Sequence, residues 1–324
     1  MLMKLSVIIP TLNAGRYLPN LLERLFSQTV SDKEIIVIDS ASDDETAEVA
    51  RSFGVTVKPI SRREFNHGRT RNVAADDASG EYLVFLTQDA LPVNGHLLEN
   101  LIAPLENDGQ IAASYGRQIA YEHAYPIEKF IRGFNYPEES RTKEKRDIPV
   151  LGVKTFFCSN ACAAYRRDVF RAFGGFRGDT IMNEDMEYFY RAVMAGYKVH
   201  YAADAQVWHS HNYTLFEQFR RYVDIGVFFS NNPDLAAYSR NETEGIRYIL
   251  AAARHLIDNN EPWQLPHLLL DSLARFLGYR VGKNYRLLPV KYMRYISMNK
   301  AYWLSQGGCE KIQPQNIMRP PDRS

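Results

Sequence analysis

The sequence lacks the features that mark several large classes of protein. Only three of its 324 residues are cysteines, Cys158, Cys162 and Cys309, so a disulfide framework is not expected. The spacing of the first two, with no second pair, is a poor zinc motif. No apolar stretch reaches the roughly 20 residues needed to cross a bilayer, and no signal peptide precedes the first predicted strand. The formal net charge of +1 gives no electrostatic case for binding nucleic acid. These absences predict a cytoplasmic protein.

What is present is a pattern used three times near the N-terminus, in which a short apolar run ends in polar residues. The polar residues that end or follow the runs LSVIIP, EIIVID and YLVFLT are Thr11, Asn13, Asp39, Ser40, Gln88 and Asp89. The runs lack polar–apolar alternation, which is typical of strands buried on both faces of a parallel sheet. Ligands bind beyond the carboxyl ends of such strands. The pattern therefore predicts a nucleotide-binding α/β enzyme.

Helical patterns alternate with these strands. Leucines recur at helical spacing within residues 15–28, Ser42 or Asp43 is suited to cap a second helix that Gly54 ends, and a third fits residues 68–78. Later elements are predicted as a strand at 156–167 and helices at 184–195, 216–229, 246–257 and 265–279.

Between these elements, residues 117–150 contain three prolines and the charged run EESRTKEKRD, so we expect a mobile loop or solvated surface there. The chain is predicted to divide into an α/β catalytic domain over residues 1–212 and a helical extension over residues 213–324.

Several of the polar residues suit catalysis, and each has a plainer alternative. Asp39 can accept hydrogen bonds from a ribose or a base, or simply form a turn. Asp89 can hold Mg²⁺ or Mn²⁺, or cap a strand end. In the pair Glu184-Asp185 one carboxylate can deprotonate an acceptor hydroxyl, or both can stabilise a helix N-terminus. His209 is either a metal ligand or a structural histidine. A nicotinamide cofactor is disfavoured, because no G-x-G-x-x-G follows the first strand.

Taken in order, these segments resemble the family-2 inverting glycosyltransferases of the GT-A fold. SVIIPTLNAGRYL resembles that family's first strand and loop, and IIVIDSASDDET resembles its second strand. HGRTRNVAADDASGEYLVFLTQDA resembles its donor-binding helix and metal strand. The resemblance covers about residues 4–212. It implies a nucleotide-diphospho-sugar transferase fold, with a Rossmann-like, mostly parallel sheet flanked by helices and a helical C-terminal extension.

The resemblance also implies roles in catalysis. Asp185 matches the general base of the family's acidic motif, with Glu184 beside it, and Asp89 matches the ligand of Mg²⁺ or Mn²⁺. The family usually carries Asp-x-Asp at the metal strand, but Thr87-Gln88-Asp89 leaves one acid here. A histidine replaces the missing ligand in some relatives, and His209 is the candidate for that role.

The donor site that the resemblance and the strand ends imply is larger. Its candidate residues are Pro10, Thr11, Asn13, Asp39, Ser40, His67, Gly68, Arg69, Arg71, Asn72 and Gln88. Arg69 and Arg71 are the expected partners of the phosphates, because guanidinium groups pair well with them. The alternative for these two arginines is a solvated helix face.

A more specific resemblance concerns the sugar that is transferred. Gln88 with FNHGRTRN, and the later segments FRRYVDIGVFF and RFLGYRVGKNYRLLP, resemble the rhamnosyltransferase branch, which uses dTDP-β-L-rhamnose. The implied reaction is a single inverting displacement that gives an α-L-rhamnoside of a surface polysaccharide such as O-antigen. Two alternatives stay open: a family-2 transferase that uses another UDP- or dTDP-sugar, and a non-catalytic sugar-nucleotide or glycan-binding protein.

The last third of the chain is locally basic. No acid occurs between Asp271 and Glu310, and seven lysines and arginines there are interleaved with seven aromatic residues. Such a mixture suits the headgroup layer of an anionic membrane. It predicts peripheral contact with the inner face of the plasma membrane, beside a lipid-linked glycan acceptor. The alternative is a helical pair that packs on the catalytic domain or on a second subunit, giving a homodimer. Nucleic acid is the least favoured partner, since nothing else in the chain supports it.

Overall fold

The computed structural model describes residues 4–239 and 241–306, and Cys309 and Glu310 lie outside these ranges. The strands are β1 (Leu5–Thr11), β2 (Lys33–Asp39), β3 (Thr56–Pro59), β4 (Tyr82–Leu86), β5 (Leu91–Pro92), β6 (Ile111–Ile119), β7 (Arg141–Lys143), β8 (Cys162–Arg166) and β9 (Lys198–Trp208). The helices of the first half are α1 (Leu18–Phe26), α2 (Thr46–Ser52), α3 (His67–Asp77), α4 (Leu97–Asn107), α5 (Pro126–Asn135) and α6 (Ile148–Leu151). Those of the second half are α7 (Arg167–Ala172), α8 (Glu184–Met194), α9 (Leu215–Asn231), α10 (Pro233–Ala236), α11 (Asn241–Asp258), α12 (Leu265–Lys283), α13 (Val290–Ile296) and α14 (Lys300–Gln306).

These strands form one mixed sheet in the order β3-β2-β1-β4-β8-β6-β9-β5, with β7 also paired to β9. β1 runs parallel to β2 and β4, β2 runs parallel to β3, and β6 runs parallel to β9. β8 is antiparallel to both of its neighbours, and the short strands β5 and β7 are antiparallel to β9. The predicted α/β fold with a mostly parallel sheet is confirmed, and the carboxyl ends of the long parallel strands meet at one edge.

Both faces of the sheet are covered, which explains the absence of alternation in the apolar runs. In β1, Val7 and Ile9 belong to the core on one face, whereas Ile8 belongs to the core on the other. On the first face Leu21 and Leu25 of α1 pack against the strand. Burial of a leucine or isoleucine of this kind contributes about 1.5–3 kcal/mol to stability. The leucines that recur at helical spacing in the sequence are the α1 residues that are buried.

The region expected to be a mobile loop is ordered secondary structure, so that part of the prediction was wrong. α5 spans Pro126–Asn135, and β7 pairs with β9 through residues 141–143. The prolines mislead because they lie where helices accept them. Pro126 occupies the first turn of α5 and Pro149 the first turn of α6, where a proline costs no backbone hydrogen bond.

Two other elements are shorter than predicted. The strand expected at 156–167 is confined to Cys162–Arg166, because the Asn160 backbone N–H bonds the Asp185 carboxylate instead of a neighbouring strand. The second helix begins at Thr46 rather than at Ser42 or Asp43, because the Ser42 hydroxyl and N–H both bond the Asp39 carboxylate.

The helix α12 packs closely on the backbone of α9, and α9 in turn joins the core of the sheet through Val223, Val227 and Phe228. A Cβ atom added at Gly282 would lie 2.0 Å from the Val223 carbonyl oxygen, and one at Gly278 would lie 2.3 Å from that of Phe219. Met293 and Trp303 also join the same core as the strand residues. No helix among the described residues is both long enough and apolar enough to span a membrane. β9 ends before residue 212 and α9 begins after it, but the division there stays a prediction.

Some aromatics of the basic segment serve this packing rather than solvent. Trp303 is buried, and the Tyr285 hydroxyl donates to the Asn231 side-chain oxygen at 2.8 Å. Phe276, Tyr292 and Tyr295 are exposed. The interleaved aromatics predicted from the sequence therefore divide between the core and the surface.

Candidate functional site

The first part of the candidate site lies where β1 and β2 end. Thr11 is the register partner of Asp39, and its hydroxyl donates to Asp39 Oδ1 at 3.0 Å. Ser42 donates to the same carboxylate from its backbone N–H at 3.0 Å and from its hydroxyl at 2.6 Å. Beside them the buried Ser40 hydroxyl has no hydrogen-bond partner among the described residues. The Asp39 carboxylate is thus held rigidly, and an unpaired hydroxyl next to it leaves a place for a ligand.

The loop after β1 is fastened at two points. Asn13 adopts a left-handed conformation with φ of 50°, and its side-chain oxygen accepts from the Asp43 N–H at 2.9 Å. Gln88 binds the Leu12 backbone twice, accepting from its N–H at 2.8 Å and donating to its carbonyl at 3.2 Å. Gln88 was expected in the donor site, but both polar atoms of its amide bind this loop. Pro10, also expected there, is partly exposed within β1.

Helix α3 carries several predicted donor residues, and two of them fasten the helix to the segment 175–178. The Asn72 side chain donates to the Phe176 carbonyl at 2.7 Å and accepts from its N–H at 3.0 Å. A Cβ atom at Gly68 would lie 2.4 Å from the Arg177 carbonyl oxygen. Arg69 is exposed on the same helix and remains accessible to a ligand.

Arg71 is buried and paired with Glu184, their charged atoms 3.2 Å apart. Arg71 also donates to the His67 carbonyl at 2.9 Å, and the His67 ring contacts the Asn299 side chain at 3.1 Å. Burial lowers the pKa of His67, although the nearby negative charge of Glu184 acts to raise it. Burial alone would raise the pKa of Glu184, but the charges of Arg71 and His67 outweigh it and lower that pKa. Glu184 is therefore ionised, and Arg71 neutralises it inside the protein.

Asp185 has the opposite electrostatic setting. Its two oxygens accept from the backbone N–H groups of Asn160 at 3.0 Å and Met186 at 2.8 Å, and the residue stays partly exposed. Burial, followed by the negative charge of Glu184, raises the pKa of Asp185 to about 7. A carboxylate with a pKa near neutral is suited to accept a proton.

The second cluster of the site consists of Asp89 and two histidines. His209 Nε2 and His211 Nε2 each lie 3.5 Å from an oxygen of Asp89 and 3.1 Å from each other. Burial of Asp89 would raise its pKa, but the hydrogen bond and charge of His209 and the charge of His211 lower it instead. Burial, with the charge of His209, lowers the pKa of His211 to about 4. At neutral pH His211 is a neutral imidazole facing an ionised carboxylate.

His211 was missing from the sequence-based set. The signal for it was the His-x-His pattern just after an extended strand, since alternate residues of extended chain point to the same side. Sequence reasoning chose only His209, the histidine nearer to the strand.

A buried network behind the cluster fixes the orientation of the two histidines. The Gln118 side-chain oxygen lies 2.8 Å from His209 Nδ1, so a proton on Nδ1 leaves Nε2 free to ligate. Arg132 donates to the same Gln118 oxygen and pairs with Glu128 at 2.7 Å. Glu128 in turn accepts from the His211 N–H at 3.2 Å. Helix α5, which sequence analysis did not predict, supplies Glu128 and Arg132.

The chain connects the two clusters through adjacent residues. Gln118 donates to the Ser159 hydroxyl at 2.8 Å, and Asn160 holds Asp185 as well as Glu184, to which its side chain donates at 3.0 Å. The carboxylate suited to accept a proton and the Asp-His-His cluster are thus anchored to the same turn before β8.

The donor set of the cluster fits a divalent cation. The ligand atoms of Asp89, His209 and His211 all lie within 4.8 Å of one another. One carboxylate and two imidazoles suit Mn²⁺ better than Mg²⁺, which prefers oxygen ligands.

Comparison with known proteins shows which family models and relatives the chain matches. The family model described as "Glycosyl transferase family 2" matches residues 6–174, and that described as "Glycosyl transferase family group 2" matches residues 150–296. The O-antigen chain rhamnosyltransferase RfbN of Salmonella typhimurium is 43% identical over 304 residues, covering 93% of this chain and 96% of that protein. The O-antigen chain rhamnosyltransferase WbaN of Salmonella anatum is 44% identical over 301 residues, covering 92% and 95%.

Solved structures agree on the fold. The mannosyltransferase PcManGT from Pyrobaculum calidifontis, in complex with GDP-Man and Mn²⁺, matches with a TM-score of 0.55 and 19% identity, covering 94% of this chain and 86% of that one. Residues 1–349 of TarS from S. aureus match with a TM-score of 0.51 and 18% identity, covering 88% and 92%. These likenesses show the GT-A fold.

Proposed function

The chain belongs to glycosyl transferase family 2, and we propose that it moves L-rhamnose from dTDP-β-L-rhamnose to a hydroxyl of a lipid-linked polysaccharide precursor, with inversion. The observation that carries the sugar assignment is identity above 40% over nearly the whole chain to two O-antigen rhamnosyltransferases. What supports the catalytic assignment is the electrostatic difference between two adjacent carboxylates, Glu184 and Asp185.

In the proposed reaction Asp185 is the general base. The acceptor hydroxyl oxygen forms a bond to the anomeric carbon, the bond from that carbon to the diphosphate breaks, and the hydroxyl proton passes to Asp185. Asn160 and Met186 hold the carboxylate in place through their N–H groups. Burial, together with the negative charge of Glu184, keeps the pKa of Asp185 high enough for it to accept a proton near neutral pH. Attack from the face opposite to the leaving group converts the β-L donor into an α-L-rhamnoside.

The donor is proposed to lie along the edge where β1, β2 and β4 end. Asp39 is suited to accept from the nucleoside, with the Ser40 hydroxyl beside it, and the exposed Arg69 is suited to the phosphates. Asp89, His209 and His211 are proposed to hold Mn²⁺ or Mg²⁺. A bound divalent cation would neutralise the charge that develops on the departing diphosphate.

Three other predicted donor residues have structural partners that suggest indirect roles. Gln88 holds the loop after β1, Asn72 holds the segment 175–178, and Arg71 neutralises Glu184. We assign these residues to positioning, and leave direct donor contact to Asp39, Ser40 and Arg69.

Donor binding by calorimetry tests the assignment without knowledge of the acceptor. The protein is titrated with dTDP-β-L-rhamnose, UDP-glucose and UDP-N-acetylglucosamine, each with Mn²⁺, with Mg²⁺ and without a divalent ion. We expect selective binding of dTDP-rhamnose that is strengthened by the cation, and most strongly by Mn²⁺. Asp39→Ala should weaken the binding of the nucleotide, whereas Asp43→Ala, an exposed acid nearby, is the matched control.

Preference for a UDP-sugar would overturn the rhamnosyl assignment and keep the glycosyltransferase. Binding that is indifferent to divalent ions would remove the cation from the proposal. Transfer is then assayed with lipid-linked acceptors, in which formation of an α-L-rhamnoside is the expected product.

A further inference from the structure

The exposed apolar side chains of this protein are concentrated on two helices of the C-terminal part. On α12 they recur on one side of the helix, at Leu269, Leu270, Leu273, Phe276 and Leu277. On α11 the same holds for Ile246, Leu250 and Ile257. We call these eight side chains the apolar stripe. Soluble monomers rarely leave so large an apolar face uncovered, and such faces mark a site of interaction.

The stripe is not the inward face of these two helices, because other faces of α11 and α12 already pack against the rest of the protein. Ala252 and Leu256 of α11, Leu268 of α12 and Ile127 of α5 form a small buried cluster of their own. On a further side, α12 lies against α9 along the glycine contacts at Gly278 and Gly282. What remains on the stripe is hydrocarbon that the described fold does not use.

The charges that follow the α12 part of the stripe have one sign. Arg280 and Lys283 in the last turn of α12, then Arg286 and Lys291, are exposed. Asp271, the acid within α12, is buried and bound to Arg275 at 2.6 Å. No acidic residue occurs from 272 to 309, so no exposed carboxylate of this segment offsets its cations. Two copies of such a surface would repel each other, whereas an anionic bilayer attracts it.

We propose that the apolar stripe docks into the headgroup layer of an anionic membrane, with Arg280, Lys283, Arg286 and Lys291 contacting the lipid phosphates. Helices that lie in the plane of the interface bury one apolar face and bind more strongly to anionic lipid. This inference rests on the proposed function, because it places the enzyme where its lipid-linked acceptor resides.

α9, on which α12 packs, is linked by polar contacts to the catalytic edge, the edge of the sheet that carries Asp39 and Asp89. Asp224 of α9 accepts from the N–H groups of Met298 at 3.0 Å and Asn299 at 3.1 Å. The Asn299 side chain reaches the His67 ring at the start of the donor-binding helix α3. We therefore expect docking of the stripe, through α12 and α9, to limit how far the active site can move relative to the lipid surface.

Vesicle flotation of the full-length chain tests the proposal. Phosphatidylcholine vesicles with and without phosphatidylglycerol are used at low and high salt, without donor or acceptor. The double substitution Leu273→Gln/Phe276→Gln should lower the partition coefficient at least about tenfold, because two apolar side chains that would enter the lipid layer become polar. The matched control, Phe26→Gln/Val150→Gln, changes two exposed apolar residues on α1 and α6 and should bind as the unmodified chain does.

Two further measurements sharpen the result. Lys283→Gln/Lys291→Gln should lower binding to the anionic vesicles by about fivefold for each charge, and leave binding to neutral vesicles unchanged. Phe276→Trp should show a blue shift of its fluorescence when anionic vesicles are added.

The proposal is overturned if the unmodified chain does not bind anionic vesicles at low salt, or if the Leu273→Gln/Phe276→Gln variant binds equally well. It is also overturned if sedimentation shows a dimer that this variant converts to a monomer, since the stripe then covers a second copy. Because the assay contains no nucleotide sugar, its failure leaves rhamnosyl transfer standing, and failure of the calorimetry leaves the docking face standing.

Discussion

The catalytic edge of the sheet and the C-terminal helices depart from ordinary protein structure in opposite ways. At the edge, the carboxylate of Glu184 and the guanidinium of Arg71 are buried. On α11 and α12, leucines and Phe276 are exposed. Charge is normally outside and hydrocarbon inside, because burying an ion costs free energy and burying hydrocarbon releases it. Both regions therefore give up stability.

The difference lies in how each region compensates. At the catalytic edge the buried charged groups Glu184 and Arg71 are held by partners within the protein, so their burial is compensated without a macromolecule. The apolar stripe has no such partner among the described residues, so its compensation must come from outside. We relate the first region to the proposed reaction and the second to the proposed binding of a membrane surface.

The largest expected effect breaks the catalytic side of this comparison. Asp185→Asn should lower kcat by about 10²–10⁴-fold, because the amide cannot take the acceptor proton. Donor affinity should stay within a few-fold, because the isosteric amide keeps one of the two backbone hydrogen bonds and leaves the proposed donor contacts at Asp39 and Arg69 unchanged. Single-turnover transfer and donor calorimetry measure the two quantities separately.

The control for this variant is Asp179→Asn, which changes an exposed acid paired with Arg177 at the surface. In the unmodified enzyme, the base works only when deprotonated. The value of kcat/KM should therefore fall about tenfold per pH unit below the pKa of Asp185, which is about 7. Loss of donor binding in Asp185→Asn would move this residue from the base role to the donor site.

A second test removes the buried charge beside the base. Glu184→Gln leaves the Arg71 guanidinium buried without its partner and should lower the free energy of unfolding by about 3–5 kcal/mol. It also removes the negative charge that raises the pKa of Asp185, so the acid limb of the pH–rate profile should move to lower pH. Denaturant unfolding and the pH profile measure the two effects.

The double variant Glu184→Gln/Arg71→Met separates pairing from packing. With both charges gone, the free energy of unfolding should recover part of the loss, because replacing a buried ion pair is less costly than leaving one charge alone. A double variant less stable than Glu184→Gln would contradict the ion-pair explanation.

A smaller effect is expected at the Asp-His-His cluster. His211→Ala should weaken Mn²⁺ binding by about 100-fold, and Gln118→Ala, which removes the partner of His209 Nδ1 together with contacts to Arg132 and Ser159, by about 10-fold. Titration of Mn²⁺ in the presence of saturating dTDP measures both, with the exposed His96→Ala as the control. Equal affinity in His211→Ala and the unmodified chain would leave Asp89 and His209 as the only ligands.

The two regions also differ in how far the sequence predicted them. The strand-end residues Asp39 and Asp89 could be predicted, because a buried parallel strand and the polar residue that ends it are contiguous in the chain. The acidic pair Glu184-Asp185 was singled out by its position at the start of a predicted helix, and the family resemblance implied which of the two is the base. His211 follows from the two-residue period of extended chain, which places it on the same side as His209.

What the sequence could not provide were contacts between distant segments. Whether Arg71 faces a phosphate or Glu184 depends on how α3 approaches α8, and no local pattern encodes that approach. α5 was not predicted because Pro126, with Pro137 and Pro149 nearby, indicated a loop, although Pro126 lies in the first turn of a helix. The apolar stripe could not be distinguished from a core face, since the spacing of leucines is the same in both.

The smallest predicted effect concerns the contact that sets the position of the stripe. Gly282→Ala puts a Cβ atom 2.0 Å from the Val223 carbonyl, so α12 must move away from α9. The free energy of unfolding should fall by about 1–3 kcal/mol, the usual cost of overpacking. Gly245→Ala on α11, where no atom lies within 4 Å of the added Cβ, is the matched control. It should raise stability by up to about 1 kcal/mol, because alanine is the better helix former. If both variants were equally stable, the backbone contact would not hold α12 in place, and the stripe would be free to tilt relative to the active site.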